Sequence, residues 1–302
     1  MRVKGRVPML NYIADQWCDE QSSLVSVLYP GVMNSESVYE VVRTYNGLPF
    51  AFRKHFERLK QSAALMGLEV PFSCKELNSI IIEGLEKNKG FQTQDFRIRI
   101  SLISDGARSR PAIIFSDLPS PSKDIYELGV KISISPFLKP SADIVNPQLK
   151  MPGSSWIIRT RKALGDNYDM LILNEKGNVC EGSFSNVFLV MDGSVVTPDI
   201  RSGVLPGITR DNVIGLCESL EISVEKRPVP AWELFCADEI FITHTSVGIV
   251  PVRRLEDKVL IEDFTDGITR LLLDNFEGYI MTEDSNWSGL DEVEPSNYRA
   301  DI

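Results

Sequence analysis

Histidine is nearly absent from this chain. The two that occur, His55 and His244, stand far apart in the sequence. That excludes a multi-histidine metal centre and leaves any Ser-His-Asp triad with only these two to draw on, so no metal is expected. Cysteine is also sparse: Cys18, Cys74, Cys180, Cys217 and Cys236 are odd in number and contain no CxxC pair. Neither a disulfide framework nor a thiolate metal site fits that spacing, and a reducing compartment, the cytoplasm, is expected. No apolar run approaches a membrane span, and the basic residues 1–7 run into Asn11, Asp15 and Gln16 without the apolar stretch of a signal peptide, so no membrane partner is expected. Positive charge is not in excess. There are 32 Lys and Arg against 42 Asp and Glu, a net charge of −10, and residues 281–302 carry half of it, with six acids against Arg299. Nothing here attracts a polyanion, so nucleic acid is not an expected partner. A GxxxxGKS/T loop is missing, and Glu181-Gly-Ser-Phe-Ser-Asn186 lacks the GxSxG spacing, which excludes a P-loop and a nucleophile elbow.

What is present is an ordinary globular composition, 43% hydrophobic and 25% charged, over 302 residues and 33.9 kDa. That length is generous for one core and suits two domains. Residues 38–47 alternate and then turn at Asn46-Gly47, the pattern of a strand running into a hairpin. Phe52, Phe56, Leu59, Ala63 and Met66 then step at helical spacing to Gly67, and residues 75–88 read as a second helix. Strands are expected at 96–103 and 130–134. The first half is therefore α+β. Pro136, Pro140, Pro147 and Pro152-Gly153 punctuate a linker. The second half predicts a helix at 154–164, strands at 168–173, 185–190 and 192–197 with a turn at Asp192-Gly193, a helix after Pro206-Gly207, strands at 222–226 and 238–243, and a last helix at 265–276. The expected division is a domain over 1–135, an interdomain segment over 136–153, a second domain over 154–280 and an acidic tail over 281–302.

Leu205-Pro-Gly-Ile-Thr-Arg-Asp211 opens an amphipathic helix with free amides at 207–209, a terminus suited to phosphate, although taken alone such a terminus is more often a plain helix start. Its meaning changes beside four other segments. These are Ser37-Val-Tyr-Glu-Val-Val-Arg-Thr-Tyr-Asn-Gly47, the helix carrying His55-Phe-Glu-Arg-Leu59 and Leu65-Met-Gly67, Asn178-Val-Cys-Glu-Gly-Ser-Phe-Ser-Asn-Val-Phe188, and Ala237-Asp-Glu-Ile-Phe-Ile-Thr-His-Thr-Ser-Val-Gly-Ile-Val-Pro251. Taken in order, they make the chain up to about residue 280 resemble the class IV, fold type IV, pyridoxal-phosphate enzymes. That family holds the branched-chain and D-amino acid aminotransferases and aminodeoxychorismate lyase.

The resemblance implies a sandwich-like α/β N-terminal domain, a β-barrel-like α/β C-terminal domain, pyridoxal 5'-phosphate as cofactor and a homodimer. It implies that a lysine forms the Schiff base, and three lysines compete for that role. Lys150 stands 31 residues before Glu181, close to the family's interval, whereas Lys139 stands too far and Lys162 too near. The stretch from Lys150 to Trp156 departs from the usual family sequence. Glu181 matches the carboxylate that keeps the pyridine nitrogen protonated. Arg58 matches the phosphate-binding arginine, and its place at the border of the apolar stripe lets its stem pack while its head reaches out. Ile208, Thr209 and Thr245 match further phosphate ligands, and Leu205 the residue packed on the ring. Tyr39 matches an active-site tyrosine of the D-amino acid enzymes. Ser246 and Val247 match backbone ligands of the substrate carboxylate. Ser35-Glu-Ser37 stands where the family commonly has Gly-Asp-Gly. The implied activity is transfer of an amino group between an amino acid, of branched-chain or D type, and a 2-oxo acid. Trp156-Ile-Ile-Arg-Thr-Arg-Lys162 resembles a stretch of plant forms of the lyase and keeps that activity as an alternative. A non-catalytic pyridoxal-phosphate binder is the third reading.

Overall fold

The computed structural model describes residues 8–89, 95–118, 121–140, 142, 144–261 and 264–283. The acidic tail lies outside the described residues from 284 onward. Two compact units emerge. One comprises the described residues up to 118 together with Lys150–Pro152, and the other comprises the described residues from 121 to 149 and from 153 to 283.

In the first unit the elements run β1 (Asn11–Ile13), β2 (Gln16–Cys18), α1 (Pro30–Met33), β3 (Ser37–Tyr45), β4 (Leu48–Pro49), α2 (Phe52–Met66), α3 (Cys74–Lys87), β5 (Phe96–Ser104) and β6 (Ser109–Asp117). Among the described residues six strands form an antiparallel sheet in the order β2-β1-β6-β5-β3-β4. In β5 the alternation Phe96, Ile98, Ile100, Leu102 is buried, and Arg97 and Arg99 point the other way. The β3–β4 hairpin closes at Asn46 and Gly47, both in the left-handed region, as the primed turns of two-residue hairpins require. Helix α2 buries Phe52, Phe56, Leu59 and Ala63 beside β3 and stops at Gly67, whose φ of 71° suits a glycine C-cap. Helix α3 starts with a reciprocal capping box between Ser73 and Glu76. Ser35 has φ 60°, in the left-handed region that glycine adopts most readily.

The second unit runs α4 (Asp124–Glu127), β7 (Val130–Ile134), α5 (Ser155–Lys162), β8 (Asp169–Leu173), β9 (Val179–Gly182), β10 (Asn186–Met191), β11 (Ser194–Pro198), α6 (Ile208–Ser219), β12 (Val224–Arg227), β13 (Glu239–His244), β14 (Gly248–Leu255), β15 (Lys258–Val259) and α7 (Ile268–Thr282). Among the described residues the strands follow the order β12-β11-β10-β13-β14-β7-β8-β9, with β15 on β14. β7 pairs parallel to β14 and β8, so the strand at 130–134 belongs to this second sheet. The sheet curls: β9, last in the order, lies against β10 and β11. A continuous apolar cluster that includes Ile132, Leu171, Val187, Ile240 and Val250 joins its strands into one core. No helix among the described residues is long and apolar enough to cross a membrane.

Candidate active site

In the first unit a buried acid collects three basic side chains. Glu40 sits on β3 between Val38 and Val42, on the inward side of the strand, and is fully buried. Helix α2 presents His55, Arg58 and Ser62 one turn apart on its buried side. Arg58 donates through Nε to Glu40 Oε1 at 2.6 Å and through Nη2 to Oε2 at 2.8 Å, the two-pronged pairing that a guanidinium makes with a carboxylate. His55 Nδ1 lies 2.8 Å from Oε2, and its Nε2 is buried without a hydrogen-bond partner among the described residues. Lys150 Nζ is 3.4 Å from the same Oε2. The lysine is fixed by its backbone: its N–H donates to Ser62 Oγ at 3.1 Å, and its carbonyl accepts from Tyr39 N at 3.1 Å. The Tyr39 ring takes Arg99 at 3.9 Å and Lys150 at 5.5 Å from its centroid. Burial works to raise the Glu40 carboxyl, but the charges of Arg58 and Lys150 outweigh it and hold the group well below the usual carboxylate range. Burial brings His55 down to about 4, against the upward pull of Glu40.

In the second unit the centre is Glu181 on β9, itself buried. Its Oε1 accepts from Lys139 Nζ at 2.5 Å and its Oε2 from the Leu205 amide at 3.0 Å. The Leu205 carbonyl in turn accepts from Asn186 Nδ2 at 3.0 Å, and Asn186 pairs with Thr243 across β10 and β13. One residue therefore ties the segment before α6 to the end of β13, from which the turn Thr245–Val247 leads to β14. Helix α6 begins after Gly207 with no side-chain cap, so its first amides stay available to an anion. A Cβ on Gly207 would stand 1.9 Å from Asn186 Oδ1, so only glycine allows this approach. The turn after Glu181 is held from below by Asp169, which accepts from Ser183 Oγ at 2.7 Å and Ser185 Oγ at 2.6 Å. Burial raises the Asp169 carboxyl in spite of those bonds. Arg161 of α5 clasps the Ser183 carbonyl at 2.7 Å. The Val247 carbonyl accepts from Tyr126 Oη at 2.9 Å, and His244 Nε2 lies 3.1 Å from Tyr168 Oη.

The residues singled out from the sequence thus fall into two sets. In the first unit Arg58 and Lys150 meet on Glu40 with Tyr39 beside Lys150, and Glu181, Leu205, Ile208, Thr209, Thr245, Ser246 and Val247 belong to the second. Lys162 ends α5, and Lys139, set aside on spacing, is the lysine in contact with Glu181. Sequence reasoning assigned no role to Glu40, His55 or Lys139. The signal for Glu40 was available: an acid at an inward strand position demands a buried cation.

The family model of class IV amino-transferases matches residues 37–255. A probable branched-chain-amino-acid aminotransferase of Thermotoga maritima is 42% identical over 254 residues, 84% of this chain and 90% of the relative. A D-alanine aminotransferase of Bacillus licheniformis is 27% identical over 272 residues, 84% of this chain and 90% of the relative. A crystal structure from Thermotoga maritima, of a protein assigned to the branched-chain amino acid aminotransferases, has a TM-score of 0.85 at 38% identity and covers 93% of this chain and 98% of that one. The chain belongs to the class IV aminotransferases, enzymes that work with pyridoxal phosphate, and it has their two-unit fold type IV architecture. Its donor set suits that cofactor. A buried carboxylate answers a protonated ring nitrogen, and an uncapped helix start approached closely at Gly207 answers a phosphate.

Proposed function

We propose that this aminotransferase binds pyridoxal 5'-phosphate through Glu181 and the start of α6, and moves amino groups between branched-chain amino acids and a 2-oxo acid. The observation that carries the cofactor reading is the fixed carboxylate of Glu181 with Leu205 donating to it directly ahead of the uncapped helix. The 42% identity to a relative with the branched-chain name supports the substrate class. Bound there, the cofactor supplies an electron sink that makes the substrate Cα–H acidic. Glu181 would answer the ring nitrogen, and Leu205 would pack on the ring. Ile208, Thr209 and Thr245 would hold the phosphate, and Arg58, whose fork Glu40 directs, would be a further ligand for it. The Lys150 amine is the group that would hold the cofactor covalently and the base suited to the substrate Cα proton. Ser246 and Val247 hold the substrate carboxylate through their amides, and Tyr39 borders the substrate. The five unpaired thiols support a cytoplasmic setting. A homodimer is supported by apolar side chains left in water between β2 and β3, with Leu24 77%, Val27 72% and Leu28 75% exposed.

The test is a donor panel on the purified protein with 2-oxoglutarate as acceptor, followed by borohydride reduction and peptide mapping. Keto acid from leucine, isoleucine and valine, formed only with the acceptor, and a pyridoxyl group on Lys150 are expected. Turnover of D-alanine alone would replace the substrate class. Release of aminobenzoate and pyruvate from aminodeoxychorismate would make the chain a lyase, and bound cofactor without turnover a binder.

A further inference from the structure

Lys139 has no part in that reading, yet it is the side chain that meets Glu181. Its backbone is pinned: its N–H donates to the Leu173 carbonyl at 2.9 Å, and it bridges to Asn174 at the end of β8. The side chains of Lys139 and Glu181 are 7% and 10% exposed, with Nζ and Oε1 2.5 Å apart. Ordering a lysine side chain and taking its ammonium out of water are both costly, so a buried lysine persists where a carboxylate answers it. The ring nitrogen of pyridoxal phosphate and the carbon bearing its carbonyl lie at opposite ends of the pyridine ring. A lysine joined through that carbon therefore stands a ring's width from the carboxylate at the nitrogen. Lys139, in direct contact with the carboxylate, stands at the wrong end for that bond.

We propose that Lys139 is a positioning residue, the resident counter-ion of Glu181, which aims the carboxylate and sets the field at the nitrogen end of the cofactor. This rests on the assignment of Glu181 to the ring nitrogen. The ammonium opposes any positive charge that gathers on the bound cofactor. Removing it favours the protonated chromophore, whereas a role in packing alone would leave the chromophore's titration where it was.

The experiment is a pH titration of the visible absorbance of the holoenzyme, wild type beside Lys139→Met and Lys139→Arg, with borohydride mapping of the wild type. For Lys139→Met the midpoint should rise by roughly one pH unit, the scale of a charge a few ångströms away. Lys139→Arg, which keeps the charge, should titrate as wild type. An unmoved midpoint in Lys139→Met, or a pyridoxyl group mapped to Lys139, overturns the proposal. If Lys139→Met does not fold, Lys139→Gln, which keeps a polar contact and removes the charge, decides: a raised midpoint supports the counter-ion role and an unmoved one overturns it. A Glu181→Gln holoenzyme that titrates as wild type overturns the assignment of Glu181 itself, and the role of Lys139 with it.

Discussion

At the scale of single residues, the first unit is organised by Glu40. Val38, Glu40, Val42 and Thr44 all point inward along β3, and the acid is tolerated there because Arg58, His55 and Lys150 converge on its two oxygens. Removing the charge strands the buried Arg58 guanidinium and the part-buried Lys150 ammonium. Glu40→Gln is therefore expected to cost about 3–5 kcal/mol, the usual loss when one member of a buried ion pair is deleted, and urea denaturation would measure it. The same cluster sets a pH dependence. The folded chain keeps His55 neutral down to about 4, while the unfolded chain takes up its proton near 6.5. Between those values the unfolded state binds more protons, so stability is full above about 6.5 and drains away as the pH falls to 4, by roughly 3 kcal/mol in all. Glu40 acts with the same sign lower down, because its folded carboxyl stays ionised where the unfolded one protonates. A thermal midpoint that falls from pH 7 to 4, with the upper part of that fall flattened in His55→Asn, is the expected record. A midpoint independent of pH over that range would contradict it.

At the scale of elements, the critical contact is the start of α6 on β10. Asn186 cannot swing aside to admit a Cβ at Gly207 without giving up its bond to the Leu205 carbonyl, and Leu205 is the donor to Glu181. Gly207→Ala should therefore disturb the carboxylate and the helix terminus together. We expect at least a tenfold loss of cofactor affinity, about 1.4 kcal/mol, in equilibrium dialysis, with the far-ultraviolet circular dichroism unchanged. Much of this level was legible in the sequence. Asn46-Gly47 and Asp192-Gly193 announce left-handed turns and adopt them, and the spacing of Phe52, Phe56, Leu59 and Ala63 gives the buried face of α2. Local patterns carry such features because backbone sterics and one-sided burial act over a few residues. The sheet to which β7 belongs was not legible, because its partners β14 and β8 lie far away in sequence. The Lys139–Glu181 pair, 42 residues apart, was hidden for the same reason. Interval counting discards a lysine that the pairing of β8 with β9 sets beside Glu181.

At the scale of the whole molecule, the open question is what covers residues 24–33. Leu24, Val27, Leu28 and Met33 are all exposed, and helix α1 within this stretch buries none of its residues. So many large apolar side chains left in water within ten residues are characteristic of an interface. Two-fold dimers are the commonest closed assembly and would bury the same patch on both copies. Sedimentation equilibrium should therefore give a dimer. Val27→Glu with Leu28→Glu should dissociate it, because two carboxylates in an apolar contact lose their water without gaining a partner. The acidic tail is a poor source of interface on charge grounds, so its removal should leave the dimer intact. The truncation belongs after Glu283, because α7 continues to Thr282 and Ile280 on it is fully buried. A chain ended at Ile280 would fray the last turn of that helix and confuse loss of the tail with loss of the core. A full-length protein that sediments as a monomer would refute the assembly. A truncated protein that dissociates while retaining its helix content would place the interface in the tail instead.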